Sequence, residues 1–493
     1  MGAVRQSDPM AIDRTHPSSA VTGASFTPAS LAAACGGRLI RSGERPIHGG
    51  AVDSRRIQGG EIFFALRGER TDGHRFLGAA AAAGASALVV GELPDDATLE
   101  ALHGPGGAPT IVAVDDPARA LIETAAAWRA RLDPFVVGIT GSYGKTSTKE
   151  QVAEVLSVSR RVRRSEGNEN NEIGLPLTLL RATPEDEALV LEMGLYREGE
   201  IALLARIARP HVGIVTAVRG VHLSRAGSLD AIERGKRELI DSLAPGGTAI
   251  LNADDERVTR WSPPAGVATL RYGFSPDADV RAEAVEPMGA GGMRFRLLLP
   301  GVARVAQTPA LGRHSVHNAL AAAAAALVAG MDPDAIVAGI ARGARALHRT
   351  TLLPAGDRLV LDDSYNASPD TMVAALDLLA TLPGRHVAVL GEMLELGEGS
   401  AAGHAQAGRH AARTADLLIA VGPGALPIAA AAREAGMAPE LVVEVADRDA
   451  ALHVLLSRGT PGETILVKAS RGAELDLLVA DLVRLLGGAG GRA

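Results

Sequence analysis

The chain has one cysteine in 493 residues, and aromatic side chains make up only 3% of it. A lone thiol, Cys35, excludes a disulfide framework and any cysteine-rich zinc site, and its Leu31-Ala32-Ala33-Ala34 context reads as a buried structural thiol. With so few rings, the cores have to be built from Ala, Leu and Val at close backbone approach. Positive charge is also in short supply: 50 Lys and Arg face 57 Asp and Glu, for a formal net charge of −7. That balance argues against the basic stripe of a nucleic-acid-binding surface, so any anionic ligand must be held locally. Long hydrophobic runs are missing too. The longest, from Leu77 to Gly91 and from Ala319 to Met331, fall short of the roughly 20 residues that span a bilayer. No basic start followed by an apolar stretch marks a signal peptide. The expectation is a cytoplasmic protein with no membrane span and no nucleic-acid partner.

What is present suits a globular protein of several domains. Hydrophobic residues make up 47% and charged residues 22%, and at about 150 residues per domain the length suggests roughly three. Residues 1–26 mix Ser, Thr, Pro, Asp and Arg without periodicity and read as a mobile tail. Residues 27–116 alternate short apolar strands, such as 61–66 and 87–90, with an Ala-rich helix, a small α/β domain. After a helix near 118–130 and a strand at 135–140, strand and helix patterns alternate to about Gly343. That alternation is the signature of a parallel, doubly wound sheet, which sets a central domain at 117–345. A further alternation, with strands at 358–361, 387–390, 417–421 and 465–467, predicts a Rossmann-like third domain over 346–493, its Gly-rich end frayed from Gly487.

The strongest local signal follows the strand ending at Thr140. The chain there reads Thr140-Gly141-Ser142-Tyr143-Gly144-Lys145-Thr146-Ser147-Thr148 and enters a helical pattern from Lys149 to Val158. Glycines let backbone N–H groups close around phosphate oxygens, the helix start offers unpaired donors, and Lys145 adds a mobile charge near a transferred phosphate. Thr146 offers a hydroxyl to Mg²⁺. The longer G-x-x-x-x-G-K-[ST] pattern is not met, because Ile139 stands where its first glycine belongs. Glu192, after Leu189-Val190-Leu191, sits at the C-terminal end of a strand, where open α/β sheets bind their ligands.

This shorter phosphate loop resembles that of the Mur ligases. Gly167-Asn168-Glu169-Asn170-Asn171-Glu172-Ile173-Gly174, Leu191-Glu192-Met193-Gly194, Asn252-Ala253-Asp254-Asp255 and Asp362-Asp363-Ser364-Tyr365-Asn366-Ala367 are similar to further motifs of that family, in its order. The likeness runs from about Phe26 to Arg471. It implies an α/β fold in the three-domain Mur ligase architecture, with a central parallel P-loop ATPase sheet and a C-terminal Rossmann-like domain. It also implies an ATP- and Mg²⁺-dependent ligase that joins D-alanyl-D-alanine to a UDP-N-acetylmuramoyl-tripeptide through an acyl phosphate, in peptidoglycan precursor synthesis, and that works as a monomer.

Roles follow from the resemblance residue by residue. Lys145, Glu192, His222 and Lys236 are the catalytic set, with Thr146, Glu192, His222 and a carbamylated Lys236 as metal ligands. Gly141, Ser142, Gly144, Lys145, Thr146, Ser147, Asn318, Arg349 and Asp363 are the expected ATP contacts. Ser54, Arg55, Asn168, Asn170, Asn171, Asn366 and Arg471 are the expected substrate contacts. Taken without the resemblance, several of these have plainer readings. Lys236 is then one charge on a solvated helix face, His222 a structural loop histidine and Asn318 a helix cap. Asp53-Ser54-Arg55 is then a surface ion pair with a turn, and the Asn cluster a turn. Two other functions remain open at this point: a Mur-type ligase with a different amine, such as diaminopimelate or lysine, and a nucleotide-binding module without ligase activity.

Overall fold

The computed structural model describes residues 23–68, 71–220, 227–344 and 346–487. Contacts divide the chain into two compact units, one ending at Pro117 and the other starting at Ala118.

In the first unit, Ser25–Phe26 pairs antiparallel with Ile47–His48, so regular structure begins inside the stretch expected to be a tail. The helix Pro28–Cys35 follows because Thr27 and Ser30 cap each other's backbone N–H groups and Pro28 occupies the first turn. Cys35 is buried, as its context suggests. A five-stranded sheet runs in the order Arg38–Arg41, Thr110–Ala113, Ala87–Val90, Ile62–Phe64, Gly50–Ala51. Only its first pair is antiparallel.

The second unit holds two sheets. The larger has nine strands, in the order Val162–Arg164, Ala188–Glu192, Phe135–Thr140, Val212–Val215, Thr248–Asn252, Ala268–Gly273, Val280–Pro287, Met293–Leu299, Val302–Thr308. The first seven run parallel, and their inner members are continuous apolar runs because both faces are covered. The last two strands pair antiparallel, which departs from the purely parallel sheet expected here. Met293–Leu299 alternates buried and exposed residues, as a strand with one wet face does. The helix Arg313–Val328 lies over this sheet with residues 319–326 fully buried, and its methyl side chains let it pack closely against the helix Lys145–Leu156. The smaller sheet has six strands, in the order Thr351–Ala355, Arg358–Asp362, Thr464–Lys468, His386–Gly391, Leu417–Val421, Val442–Val445, parallel except for the first pair. Its last helix runs Leu475–Gly487, and the rest of the Gly-rich end expected to fray lies outside the described residues. Among the described residues no helix is long and apolar enough to cross a membrane.

Candidate active site

Strand register gathers the site. Phe135–Thr140 lies between Ala188–Glu192 and Val212–Val215, with Glu192 opposite Ile139 and Val215 opposite Thr140. Thr140, Glu192, Thr216 and Asn252 therefore end neighbouring parallel strands at the same edge of the sheet, the edge at which such sheets bind ligands.

The phosphate loop turns through two residues with positive φ, Gly141 at 149° and Gly144 at 81°. A Cβ on Gly141 would lie 1.8 Å from Thr216 Oγ1, so only glycine fits there. Thr216 Oγ1 donates to the Tyr143 carbonyl at 2.5 Å, and Asn252 Nδ2 donates to the Thr216 carbonyl at 2.6 Å. Ser142 Oγ accepts from Arg219 N and donates to Arg219 O, both at 2.9 Å, and Arg219 is ion-paired with the buried Asp255. Ser142 is thus occupied in holding the loop to the segment after Val215, and its own N–H is bonded to the Ala217 carbonyl at 2.8 Å. Helix Lys145–Leu156 starts directly at Lys145, four residues earlier than the periodicity suggests, so Lys145, Thr146 and Ser147 occupy its first turn.

Lys145 Nζ donates to Gly141 O at 2.8 Å. Burial pushes its pKa down; Glu192 opposes the shift and the nearby Arg349 adds to it. Glu192 is buried and takes one donor on each carboxylate oxygen: Thr146 Oγ1 at 2.8 Å and Asn170 Nδ2 at 2.9 Å. Lys236 is 3% exposed, which overturns its reading as part of a solvated face. Its helix, Leu229–Asp241, packs so closely that a Cβ on Gly235 would meet Leu195 at 2.8 Å, and Leu239 covers Gly138 and Gly213. Among the described residues Lys236 has no ion-pair partner. Burial, followed by the charge of Lys145, lowers its pKa well below the ordinary lysine range. His222, expected as a metal ligand, lies outside the described residues.

Asn318 Oδ1 accepts from Thr148 Oγ1 at 3.1 Å and lies against Gly144, so its side chain reaches back to the loop instead of capping its own helix. From the smaller sheet, Arg349 stacks 4.1 Å over the Tyr365 ring, with Arg471 5.6 Å from the same ring. Asp363 pairs with the buried Lys468 and accepts from Thr350 N at 3.1 Å. Lys468 also donates to Asn366 O at 2.9 Å. Asn366 itself spends its side-chain oxygen on Ala367 N. Arg349, Asp363, Asn366 and Arg471 are therefore brought together, and Arg349 and Asp363 lie close enough to act electrostatically on Lys145 and His314 of the larger sheet's elements.

The Asn cluster divides by role. Asn170 points at Glu192, whereas Asn171 Oδ1 accepts from Ile173 N and Gly174 N and so starts the helix Gly174–Arg181, which is the turn reading. Asn168 is exposed and receives the Asn170 N–H on its carbonyl. In the first unit, Asp53 caps a 3₁₀ turn, Ser54–Arg56, and accepts three side-chain hydrogen bonds from Arg55, at 2.7, 2.9 and 3.2 Å. Hydrogen bonds from the Arg55 side chain and backbone hold the Asp53 pKa at about 2. Ser54 is half-buried beside it.

Two residues of this site carry no signal in the sequence: Thr216 and Arg219. Each reads as ordinary strand-end composition until the fold brings it to the loop.

The residues present suit Mg²⁺. Among the described residues no three His, Cys, Asp or Glu gather into a cage. Mg²⁺ needs only one or two carboxylates alongside nucleotide phosphates and water, and the Thr146 hydroxyl and Glu192 carboxylate are such a pair of hard oxygen donors.

Three family descriptions match the chain: Mur ligase family, catalytic domain, at residues 46–129; Mur ligase middle domain at 139–326; and Mur ligase, glutamate ligase domain, at 348–471. The chain is 38% identical over 440 residues to the UDP-N-acetylmuramoyl-tripeptide--D-alanyl-D-alanine ligase of Escherichia coli (strain K12), covering 87% of this chain and 92% of that one. It is 33% identical to the protein of the same name from Bacillus subtilis (strain 168), covering 89% and 93%. Among solved structures, MurF from Acinetobacter baumannii superposes with a TM-score of 0.82 at 29% identity, covering 94% of this chain and all of that one. The MurF ligase of Thermotoga maritima in complex with ADP gives 0.78 at 26% identity, covering 90% and 98%.

Proposed function

The chain belongs to the Mur ligase family, and we propose that it is the member that joins D-alanyl-D-alanine to UDP-N-acetylmuramoyl-tripeptide at the expense of ATP, in peptidoglycan precursor synthesis. One observation carries the chemistry. The Glu192 carboxylate is held by the phosphate-loop helix through Thr146 on one oxygen and by the Asn-rich loop through Asn170 on the other. A nucleotide and an acyl donor have to meet where those two elements meet.

The acyl donor's terminal carboxylate attacks the γ-phosphorus of ATP, the bond to the β-phosphate oxygen breaks, and ADP leaves. The amine of the dipeptide then adds to the acyl phosphate carbonyl, inorganic phosphate departs, and the amine gives up a proton. Negative charge builds up in the first step where two anions approach, so electrostatic stabilisation is the main demand on the site. Lys145, on a loop closed by Gly141 and Gly144, supplies a fixed positive charge there. Mg²⁺, held by Thr146 and Glu192 together with His222, would supply further neutralisation of the phosphates. Lys236 in this reading carries a carbamate and serves as a ligand, a role consistent with an amine whose charged form is disfavoured by burial. Gly141, Ser142, Gly144 and Ser147 are assigned to the phosphates, Asn318 to the base, and Arg349 and Asp363 to further ATP contacts from the smaller sheet. Residues 117–345 then form the nucleotide domain, and 346–493 a domain that completes the site.

Ser54 and Arg55, in a domain spanning 27–116, are assigned to the UDP portion, and Asn168, Asn170 and Asn171 to the muramoyl peptide. Asn171 contributes through the loop shape it sets. Asn366 and Arg471 are assigned to the carboxylate end of the dipeptide. The same reading has the enzyme acting as a monomer in the cytoplasm.

The test offers the purified protein ATP, Mg²⁺ and UDP-N-acetylmuramoyl-tripeptide with D-alanyl-D-alanine, with single amino acids or with water alone. Phosphate release and product mass are followed. Dipeptide-dependent release with a product heavier by the dipeptide less water is expected. Preferential use of diaminopimelate or lysine with the shorter donor overturns the assignment.

A further inference from the structure

Lys149 is fully buried, and the ligation chemistry above gives it no task. It sits one helical turn beyond Lys145 on the phosphate-loop helix. Its ammonium has three donors, and three acceptors are in place: Ser165 O at 2.7 Å, Gly167 O at 3.2 Å and Glu150 Oε1 at 3.0 Å. The other Glu150 oxygen takes Arg164 Nε at 2.6 Å. Burying a charge is costly unless it is fully paired, and an apolar side chain would fill the same space without that cost. What an apolar residue does not provide is donors for two carbonyls of a segment that has just left its strand, Val162–Arg164.

That segment leads directly to the catalytic carboxylate. Ser165 Oγ accepts from Glu192 N at 3.2 Å. Asn170 accepts from Gly194 N on its carbonyl at 2.7 Å and donates its side-chain amide to Glu192. Glu192 returns to the starting helix through Thr146. The bonds form a closed ring: helix, Lys149, the 165–170 segment, Glu192, Thr146, helix. Each member fixes the distance between the other two.

We propose that Lys149 is a positioning residue that locks the Asn-rich loop to the phosphate-loop helix, with Ser165 as its link to Glu192, so that acyl-donor loop and metal carboxylate keep one geometry. This rests on the assignment of that loop to the acyl donor. Opening the ring frees Asn170 to leave Glu192, and displacements of about 1 Å at a reacting centre are enough to lose a large part of the rate.

The test compares Lys149→Met, Lys149→Arg and Ser165→Ala with the full-length wild-type enzyme. It measures KM for each substrate, the Mg²⁺ concentration for half-maximal rate, Mg²⁺-dependent ADP affinity by calorimetry, and Tm. In Lys149→Met we expect KM for the UDP-muramoyl-tripeptide and the Mg²⁺ requirement to rise on the order of tenfold, with KM for D-alanyl-D-alanine unchanged. Mg²⁺-dependent ADP affinity should fall in parallel. Lys149→Arg should lie between Lys149→Met and wild type, because a guanidinium still donates to both carbonyls. Ser165→Ala should shift the same two constants in the same direction. A lowered Tm with wild-type constants in Lys149→Met reduces Lys149 to a packing residue and overturns the proposal. If Lys149→Met does not fold, unchanged constants in Ser165→Ala overturn it instead. A wild-type enzyme that does not use the tripeptide, while Lys149→Met loses Mg²⁺-dependent ADP affinity, refutes the substrate assignment and leaves the role of Lys149 standing.

Discussion

Lys145 and Lys236 are both lysines in helices, yet they answer to opposite constraints. Lys145 lies at a helix start with loop carbonyls and a carboxylate nearby, so its charge can be kept and used. Lys145→Ala should lower turnover at least about a hundredfold, since backbone donors do not replace a full charge at the developing phosphate; ATP-dependent product formation within tenfold of wild type would contradict the loop assignment. Lys236 is buried with no counter-ion among the described residues, and the neutral amine is the form that reacts with carbon dioxide. Lys236→Ala should be inactive and regain part of its rate in added formate or acetate, which occupy the vacated ligand position; the check is the rate against carboxylate concentration. Asp53 offers a pH test. Its carboxylate is held at about 2 by Arg55, below the unfolded value near 3.9. The contribution is therefore present above about pH 4 and lost as pH falls through 2. Because the pair is largely exposed, solvent screens it and the contribution is small. Urea curves for wild type and Asp53→Asn should differ slightly at pH 6 and converge as pH falls below 2, with the cap retained in both.

At the scale of elements, the phosphate loop depends on what faces it more than on its own composition. Gly141 takes a φ that side chains rarely adopt, and the space beside it belongs to the Thr216 hydroxyl that ties the loop to the next strand. Gly141→Ala should therefore cost about 2 kcal/mol or more in stability and weaken ADP binding at least tenfold, read by thermal melts and calorimetry on the same sample. The loop motif was legible because glycine, lysine and threonine at that spacing have few other uses. Thr216 and Arg219 were not, because a threonine or arginine after an apolar strand is common and only the neighbouring strand makes it a loop support. The antiparallel strands Met293–Leu299 and Val302–Thr308 were missed for a related reason: direction is set by which strand they pair with, and apolar content carries no sign of it.

Across the whole molecule, on the proposed assignment, Ser54 and Arg55 of the first unit take the UDP portion of the donor and the phosphate loop of the second takes ATP, so the two roles are separable by kinetics. Arg55→Ala should raise KM for the UDP-linked donor several-fold and leave KM for ATP unchanged; equal effects on both would refute a role for Arg55 in holding the donor. The α/β class, the phosphate loop after Thr140, Glu192 at a strand end and the family are legible along the chain, because strand runs, glycine spacing and motif order are local or ordered in sequence. Packing is what buries Lys236, sets Asn171 to accept from the N–H groups of Ile173 and Gly174 while its neighbour Asn170 holds Glu192, and lets Lys149 close a ring back to its own helix. Those outcomes depend on which side of a helix or loop meets another element. Residues 149 and 165 are 16 apart along the chain, and a hydrogen bond between them exists only once the strand, the loop and the helix have been packed together.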